Sequence, residues 1–171
     1  GPDGVPHGWI GMVKHSMRQL CPQFNTNRMV RQYVEEHYLP AARRYRALAA
    51  DHLARARSLA EWEASVRTHW GKVRIEEAAA SGQNGTLTFR ARIRLGALRP
   101  EDVAAQLYAE PLDGAMPEVL PLEITPGDGG AAIVEGHFPA RRAAGDFTLR
   151  LLPRHPDAHE PLDLPLVLWE R

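Results

Sequence analysis

Three residues near the end of the chain have the types and the spacing of a metal site. His155, Asp157 and His159 alternate, so an extended strand would place them on one face, where imidazole and carboxylate groups could ligate zinc. Three prolines lie among and beside them, and proline interrupts a regular strand. The sequence therefore favours an irregular turn here, and we predict no metal site.

Two further polar segments do not converge on a reaction centre. Lys14, His15 and Ser16 offer acid, base and nucleophile, but adjacent residues of a helix do not face one another and cannot reach one substrate atom. Residues 25–28 precede a predicted helix and could bind an anion at its N-terminus, although N-capping by Asn25 or Thr26 explains them equally. The sequence has no glycine-rich phosphate loop. We predict no catalytic and no cofactor-binding residue in this chain.

Aromatic side chains offer another means of binding a ligand, by stacking on sugar rings. Trp62 and Trp70 fall on the apolar seam of a predicted helix, where core packing is the expected role. Tyr108 and Trp169 fall in a predicted β region. Trp169 belongs either to the core of the last strand or to an exposed platform, and the sequence leaves both open. Tyr108 and Trp169 are therefore the candidate sugar-contacting residues.

The composition excludes two classes of partner. The 171 residues include 21 basic and 21 acidic side chains, so no net charge attracts nucleic acid or a membrane surface. Arg141 and Arg142 have no interleaved aromatic residue, which single-strand nucleic-acid binding would need. No apolar run approaches the roughly 20 residues of a membrane span. We expect neither nucleic acid nor a membrane as a partner.

Cys21 is the only cysteine of the sequence. An intramolecular disulfide is therefore excluded, which suits a reducing compartment, and we expect a cytoplasmic protein. Because Cys21 adjoins the apolar stripe of a predicted helix, we expect a buried or half-buried thiol.

Helical periodicity governs the first part of the chain. Residues 1–8 lack periodicity and begin with Gly-Pro, which resembles the scar of a tag-cleaving protease, so we expect a loop with a tag remnant. Helices are predicted at about 9–20 and 26–38, with apolar residues spaced three and four apart. Residues 9–71 form the predicted helical segment.

The last helix of this segment is predicted to be long and arginine-rich. It runs from about Pro40 to Trp70 without an internal glycine or proline, and Gly71 ends it. Residues 1–75 hold twelve basic and six acidic side chains. This part of the chain is therefore expected to face an acidic surface, either the acidic second half of the chain or a partner.

From residue 73 the period of the apolar pattern changes to two. Residues 86–95 alternate between apolar side chains and Thr or Arg, as in an antiparallel strand that has one buried face and one solvent-exposed face. Further strands are predicted at 73–79, 103–109, 118–124, 131–138, 146–152 and 164–170, separated by turn residues. Seven short strands without intervening helices predict an immunoglobulin-like antiparallel β-sandwich over residues 73–171. The predicted fold class is α+β.

The sequence resembles a known enzyme family in several separate motifs. Trp9 is followed by KHSM and then by PQFNTNRMVRQY, and this segment resembles the C-terminal end of α-glucan phosphorylases. The later motifs RLGALRPEDV, LYAEPLD and LPRHP resemble the β-rich tail of the compact bacterial and archaeal branch of that family. Together the resemblance spans most of the chain.

The resemblance implies a parent enzyme that transfers glucosyl units between α-1,4-glucan and phosphate with pyridoxal phosphate. In that family the cofactor and the catalytic groups lie upstream of the matching region. Lys14 and Lys72 are the only lysines here, and neither lies in a segment like the cofactor-binding one. No catalytic residue is therefore carried over to this chain.

Three hypotheses about function remain. The first is a non-catalytic brace whose helices, Trp9 to Tyr38, pack on the catalytic domains of the parent and favour self-association when those domains are missing. The second is a carbohydrate-binding module that holds α-glucan near Tyr108 or Trp169. The third is an interaction protein whose arginine-rich helix docks on an acidic partner.

Overall fold

The computed structural model describes residues 2–111, 116–159 and 163–170. A helical N-terminal part is followed by an antiparallel sheet, which confirms the α+β class. The chain divides into two compact units, Gly1–Leu53 and Ala54–Arg171. The division lies inside the last helix of the helical part.

The helical part confirms the predicted elements with shifted ends. Its helices are α1 (His7–Leu20), α2 (Thr26–Tyr33) and α3 (Leu39–His69), and the five residues Val34–Tyr38 form a π-helical turn. α1 begins inside the predicted loop of residues 1–8. The carboxylate of Asp3 lies beside this start: it meets Nε2 of His7 at 2.7 Å and accepts the N–H of Val5 at 3.1 Å.

Asn25 caps α2. Its side-chain oxygen accepts the backbone N–H of Arg28 at 2.8 Å, and its amide donates to the carbonyls of Cys21 and Pro22 at 2.9 Å. These bonds satisfy an orphan N–H of the new helix and fix the turn that precedes it. The capping interpretation of residues 25–28 thus accounts for Asn25.

The prediction of an unbroken helix from residue 40 to 70 was wrong. Within α3 the backbone of Ala50 is extended, and Asp51, His52 and Leu53 have positive φ. Asp and His adopt this conformation more readily than most residues, whereas Leu adopts it rarely. The division between the two compact units follows directly after Leu53.

Large apolar side chains of the first unit remain exposed. Among its described residues none is buried, and twelve of the sixteen exposed large hydrophobic residues belong to it. They include Trp9, Met12, Met17, Phe24, Met29 and Tyr33. Cys21 is also exposed, so the expectation of a buried thiol was wrong. It lies just past the end of α1, where this unit offers no buried side chain for it to pack on.

The second unit contains the seven predicted strands. They are β1 (Arg74–Gln83), β2 (Thr86–Arg94), β3 (Val103–Ala109), β4 (Glu118–Pro126), β5 (Ala131–Pro139), β6 (Thr148–Pro153) and β7 (Leu168–Trp169). β1 extends beyond the predicted end at residue 79 because Asn84 and Gly85 alone turn the chain. Both have positive φ, as a two-residue hairpin loop requires.

The seven strands form one curled antiparallel sheet, a half-barrel, in the order β1-β2-β5-β4-β3-β6-β7. β4 lies at the bend. Its first half, from Glu118 to Leu122, pairs with β3, and its second half, from Glu123 to Pro126, pairs with β5. Because β4 joins the two halves of the sheet, the predicted immunoglobulin-like sandwich of two sheets is not confirmed.

The core of the second unit lies on the concave face of this sheet. In β2, Leu87, Phe89, Ala91 and Ile93 are buried, which confirms the predicted inward face of this strand. The part of α3 after residue 53 covers this core with Trp62 and Val66, which are 6% and 0% exposed. Trp70 is half-buried against the same core, so Trp62 and Trp70 are packing residues, as expected.

Candidate functional site

The two candidate sugar-contacting residues come together on the outer face of the sheet. In β3 every second residue is buried, and this alternation turns Gln106 and Tyr108 outward. Arg150 of β6 pairs with Gln106 on one side and with Trp169 of β7 on the other. Adjacent pairing of β3, β6 and β7 thus assembles Gln106, Tyr108, Arg150 and Trp169, the aromatic–arginine cluster.

The two rings of this cluster meet edge to face. The centroids of Tyr108 and Trp169 are 5.4 Å apart, with 77° between the planes. The guanidinium carbon of Arg150 lies 4.7 Å from the Tyr108 centroid and 5.5 Å from the Trp169 centroid. These are the distances of cation–π contact, so each of the three groups restrains the other two.

Hydrogen bonds fix the polar members of the cluster. Nε and Nη2 of Arg150 donate to Oε1 of Gln106 at 3.0 and 2.8 Å. The hydroxyl of Tyr108 donates to Oε2 of Glu110 at 3.4 Å. Trp169 remains 39% exposed. The cluster therefore presents an aromatic surface beside groups that donate and accept hydrogen bonds.

A groove adjoins the cluster between the two outer strands of the sheet. It has a volume of about 730 Å³ and is lined by Arg74–Ala78 of β1 and by residues 168–170 around β7. Glu76 accepts hydrogen bonds from Nε of Arg94 at 2.7 Å and from Nε of Arg92 at 3.1 Å. The bond from Arg94 lowers the pKa of Glu76 most, and that from Arg92 adds to it. Glu76 therefore stays ionised in this groove.

A second polar cluster lies where α3 meets the turn after β6. The imidazole of His155 packs on the indole of Trp62, with 5.2 Å between the centroids. Nδ1 of His155 accepts the backbone N–H of Asp157 at 3.1 Å, and Nε of Arg55 donates to Asp157 at 3.1 Å. The candidate metal ligands His155 and Asp157 thus hold the turn against the helix. Within residues 2–111, 116–159 and 163–170, no three His, Cys, Asp or Glu side chains are grouped to hold a metal ion.

Asp102 is the one charged residue buried among those described. Burial alone would raise its pKa, but hydrogen bonds from the side chain and the backbone N–H of Arg99 outweigh burial and lower the pKa. Nη2 of Arg99 donates to Oδ1 of Asp102 at 2.9 Å. Asp102 is therefore an ionised structural carboxylate that caps the turn before β3.

The remaining polar candidates do not form a site with one another. Lys14, His15 and Ser16 lie on the exposed surface of α1. Arg142 donates to the carbonyl of Glu110 at 2.9 Å and lies 5.9 Å from the Phe147 centroid, so it holds the loop between β5 and β6. None of the helices in the described ranges has the length and apolarity to cross a bilayer.

Comparison with known families covers the sheet and the short turn that precedes it. Residues 70–171 match the family described as the glycogen phosphorylase C-terminal domain. The chain belongs to this family. The match includes all seven strands and every member of the aromatic–arginine cluster.

Curated relatives extend the similarity to the helical part. Glycogen phosphorylases of Mycobacterium tuberculosis (strains CDC 1551 / Oshkosh and H37Rv) are 35% identical over 96% of this chain, which spans 20% of their length. The maltodextrin phosphorylase of Thermococcus litoralis is 34% identical over 58% of this chain, which spans 12% of its length. The chain thus spans about a fifth or less of the relatives it matches.

Sequence reasoning found the two aromatic members of the cluster and missed Arg150 and Gln106. Both missed residues occupy outward positions of their strands, and alternation alone could have shown this. Their contact with Tyr108 and Trp169 depends on β6 lying between β3 and β7. No local pattern in the sequence specifies that strand order.

Proposed function

We propose that this chain is the C-terminal, non-catalytic part of an α-glucan phosphorylase, whose parent enzyme converts α-1,4-glucan and phosphate to glucose-1-phosphate. The family match and the names of the relatives support this assignment. The small share of each relative that the chain spans supports a role as one part of a larger polypeptide.

The chain would brace the catalytic domains of the parent. The observation that carries this proposal is the exposed apolar surface of α1 and α2, which we name the helical face: Trp9, Met12, Met17, Leu20, Phe24, Met29, Val30 and Tyr33. Exposed apolar surface of this extent is typical of an interface, and a missing domain of the same polypeptide is the nearest partner. In isolation the same face would drive self-association.

The parent would bind pyridoxal phosphate outside this chain. A Schiff base needs a lysine in an enclosed site, and both lysines here, Lys14 and Lys72, are exposed. Lys14 lies on α1, and Lys72 lies in the short turn between α3 and β1. These residues do not fit the cofactor, and we assign them no chemical step. We place the protein in the cytoplasm, where its single cysteine would stay reduced.

The finer architecture that we propose is an immunoglobulin-like arrangement with one shared strand. Lettering the strands in chain order gives A-B-E-D along one half of the sheet and C-F-G along the other. This is the strand order of the constant-type immunoglobulin sandwich. The difference lies in β4, the D strand, which also pairs with the C strand. Superposition on an immunoglobulin constant domain would test this: an equivalent path for all seven strands supports it, and a continuous barrel path contradicts it.

The arginine-rich helix gives less support to a role in binding an acidic partner. Arg55 donates to Asp157 and Arg67 to Glu63, so two of its arginines already contact carboxylates within the chain. This alternative predicts salt-sensitive capture of an acidic protein, which the brace does not require.

Activity assays of the isolated chain and of the parent test the proposal. With pyridoxal phosphate, maltoheptaose and phosphate, the isolated chain should release no glucose-1-phosphate. The parent should lose activity and solubility when residues 9–171 are deleted. Release by the isolated chain, or full activity of the truncated parent, would contradict the proposal.

A further inference from the structure

We propose that the aromatic–arginine cluster and the groove beside it bind a short α-glucan chain. The choice of ligand rests on the proposed function, because a glucan phosphorylase works on this polymer. The binding surface itself rests on the geometry of Tyr108, Arg150 and Trp169. It would be a second contact for the polymer, distinct from the site of bond cleavage.

The aromatic part of the surface is pre-organised. Trp169 is 39% exposed, yet its ring is held by a T-shaped contact with Tyr108, whose centroid is 5.4 Å away, and by the guanidinium of Arg150 at 5.5 Å. A ring held in this way loses little freedom when a ligand stacks on it, which favours binding. Exposed and fixed aromatic rings suit the flat apolar face of a glucosyl unit.

The polar groups suit sugar hydroxyls, which both donate and accept hydrogen bonds. Arg150 supplies N–H donors, and its orientation is fixed by Gln106 at 3.0 and 2.8 Å. Gln106 also carries an amide N–H₂ group, and Glu110 supplies a carboxylate next to the Tyr108 hydroxyl. A few placed polar groups beside apolar surface are the usual composition of a small-molecule site.

The groove beside the cluster has the size and the charge for a neutral polymer. Its volume of about 730 Å³ lies within the range of roughly 300–1,000 Å³ for ligand sites. Its lining holds the carboxylates of Glu76, Glu77 and Glu170 and the guanidinium of Arg74, and Arg92 and Arg94 pair with Glu76. Charges of both signs are therefore close together and partly neutralise one another, while carboxylate and guanidinium groups can both hydrogen-bond to sugar hydroxyls.

In the parent this surface would raise the local concentration of substrate. A second contact on the same polymer makes its encounter with the catalytic domains intramolecular. Weak binding is sufficient for this purpose, since the polymer offers many equivalent glucosyl units.

Glucan binding by the 171-residue chain tests the proposal. The chain should be retarded in native gels that contain glycogen, and maltoheptaose should bind in calorimetric titration. Trp169→Ala should weaken both about tenfold or more. Arg150→Met, which keeps the chain length but removes the guanidinium, should weaken them as well.

Matched controls lie on other parts of the sheet unit. Arg90→Met removes an exposed arginine from the outer face of β2, and Met116→Ala removes an apolar side chain that is 85% exposed. Both should bind maltoheptaose as the unaltered chain does. Thermal melting of each variant should first establish that it folds, and Arg150→Met decides the outcome if Trp169→Ala does not fold.

Three results would overturn the proposal: no retardation of the unaltered chain by glycogen, binding that survives both substitutions, or equal binding of cellohexaose or heparin. The parent's phosphorolysis assay separates this proposal from the proposed function. If the parent needs this segment for activity but the chain binds no maltoheptaose, the glucan-binding proposal is wrong and the proposed bracing function still stands.

Discussion

The indole of Trp62 lies against the imidazole of His155, with 5.2 Å between the centroids and 39° between the planes. Trp62 belongs to α3, and His155 belongs to the turn after β6. The contact therefore attaches the second part of α3 to the sheet. Burial of Trp62 to 6% exposure makes it a principal packing residue of this unit.

Truncation of Trp62 should destabilise the sheet unit strongly. Trp62→Ala removes a large buried side chain and leaves a cavity, so the free energy of unfolding should fall by about 3–5 kcal/mol. Trp62→Phe should cost less, because it keeps most of the apolar volume and removes an indole N–H that has no hydrogen-bond partner. Urea unfolding followed by circular dichroism measures both. A loss below about 1 kcal/mol for Trp62→Ala would contradict the assigned packing.

Asp102 should make stability depend on pH in the acid range. Its pKa is lower in the folded protein, so its contribution is present above the unfolded value of about 3.9 and is lost as pH falls through the folded pKa. Asp102→Asn should lower the free energy of unfolding at pH 7 by about 1–3 kcal/mol, the cost of disrupting a buried hydrogen-bonded group. The difference between the two proteins should shrink below about pH 4.

Glu101→Gln is the matched control for Asp102→Asn. Glu101 is the exposed neighbour of Asp102, and its substitution should leave the acid dependence of unfolding nearly unchanged. If the free energies of unfolding of Asp102→Asn and of the unaltered chain differ by the same amount from pH 7 down to pH 2, Asp102 is not the group responsible for the acid dependence of stability.

Gly136 should tolerate no side chain. A Cβ at this position would lie 2.5 Å from Cδ2 of Leu122 and 2.7 Å from Cε2 of Phe138, so Gly136→Ala should cost about 1–3 kcal/mol through overpacking. Gly145→Ala is the control, because nothing lies within 4 Å of its added Cβ. Thermal melting compares the two. Equal melting temperatures would show that Phe138 does not pack over Gly136.

The helical face should make the isolated chain self-associate. Met12 is 65% exposed on α1, and Met12→Lys should shift sedimentation velocity profiles towards the monomer by adding charge to the interface. His15→Lys on the same helix is the control and should leave the distribution unchanged. A chain that is monomeric at high concentration before any substitution would count against an apolar contact surface.

Local patterns predicted most elements of the sheet, because each depends on nearby residues. The alternation from Leu87 to Ile93 predicts β2 to within one residue of its ends. By contrast, the break in α3 at Asp51 could not be predicted, because no glycine or proline lies there in the sequence. The sequence pattern around Cys21 indicates an apolar neighbourhood, but whether that neighbourhood is buried depends on what packs over it.

Contacts between distant strands were beyond sequence reasoning. Tyr108 and Trp169 could each be proposed from residue type, but their edge-to-face contact needs the order β3-β6-β7. Likewise, the curled sheet depends on β4 changing partners after Leu122. Consecutive strands are usually neighbours, whereas here β2 lies beside β5.

The central claim is that the helical face contacts the remainder of a phosphorylase polypeptide, and mixing the two pieces tests it most directly. The remainder alone should release little glucose-1-phosphate from maltodextrin and phosphate, and adding this chain should restore the release. Chain carrying Met12→Lys should restore less than chain carrying His15→Lys. Full activity of the remainder without the chain, or no complex between the pieces at any concentration, would contradict the claim.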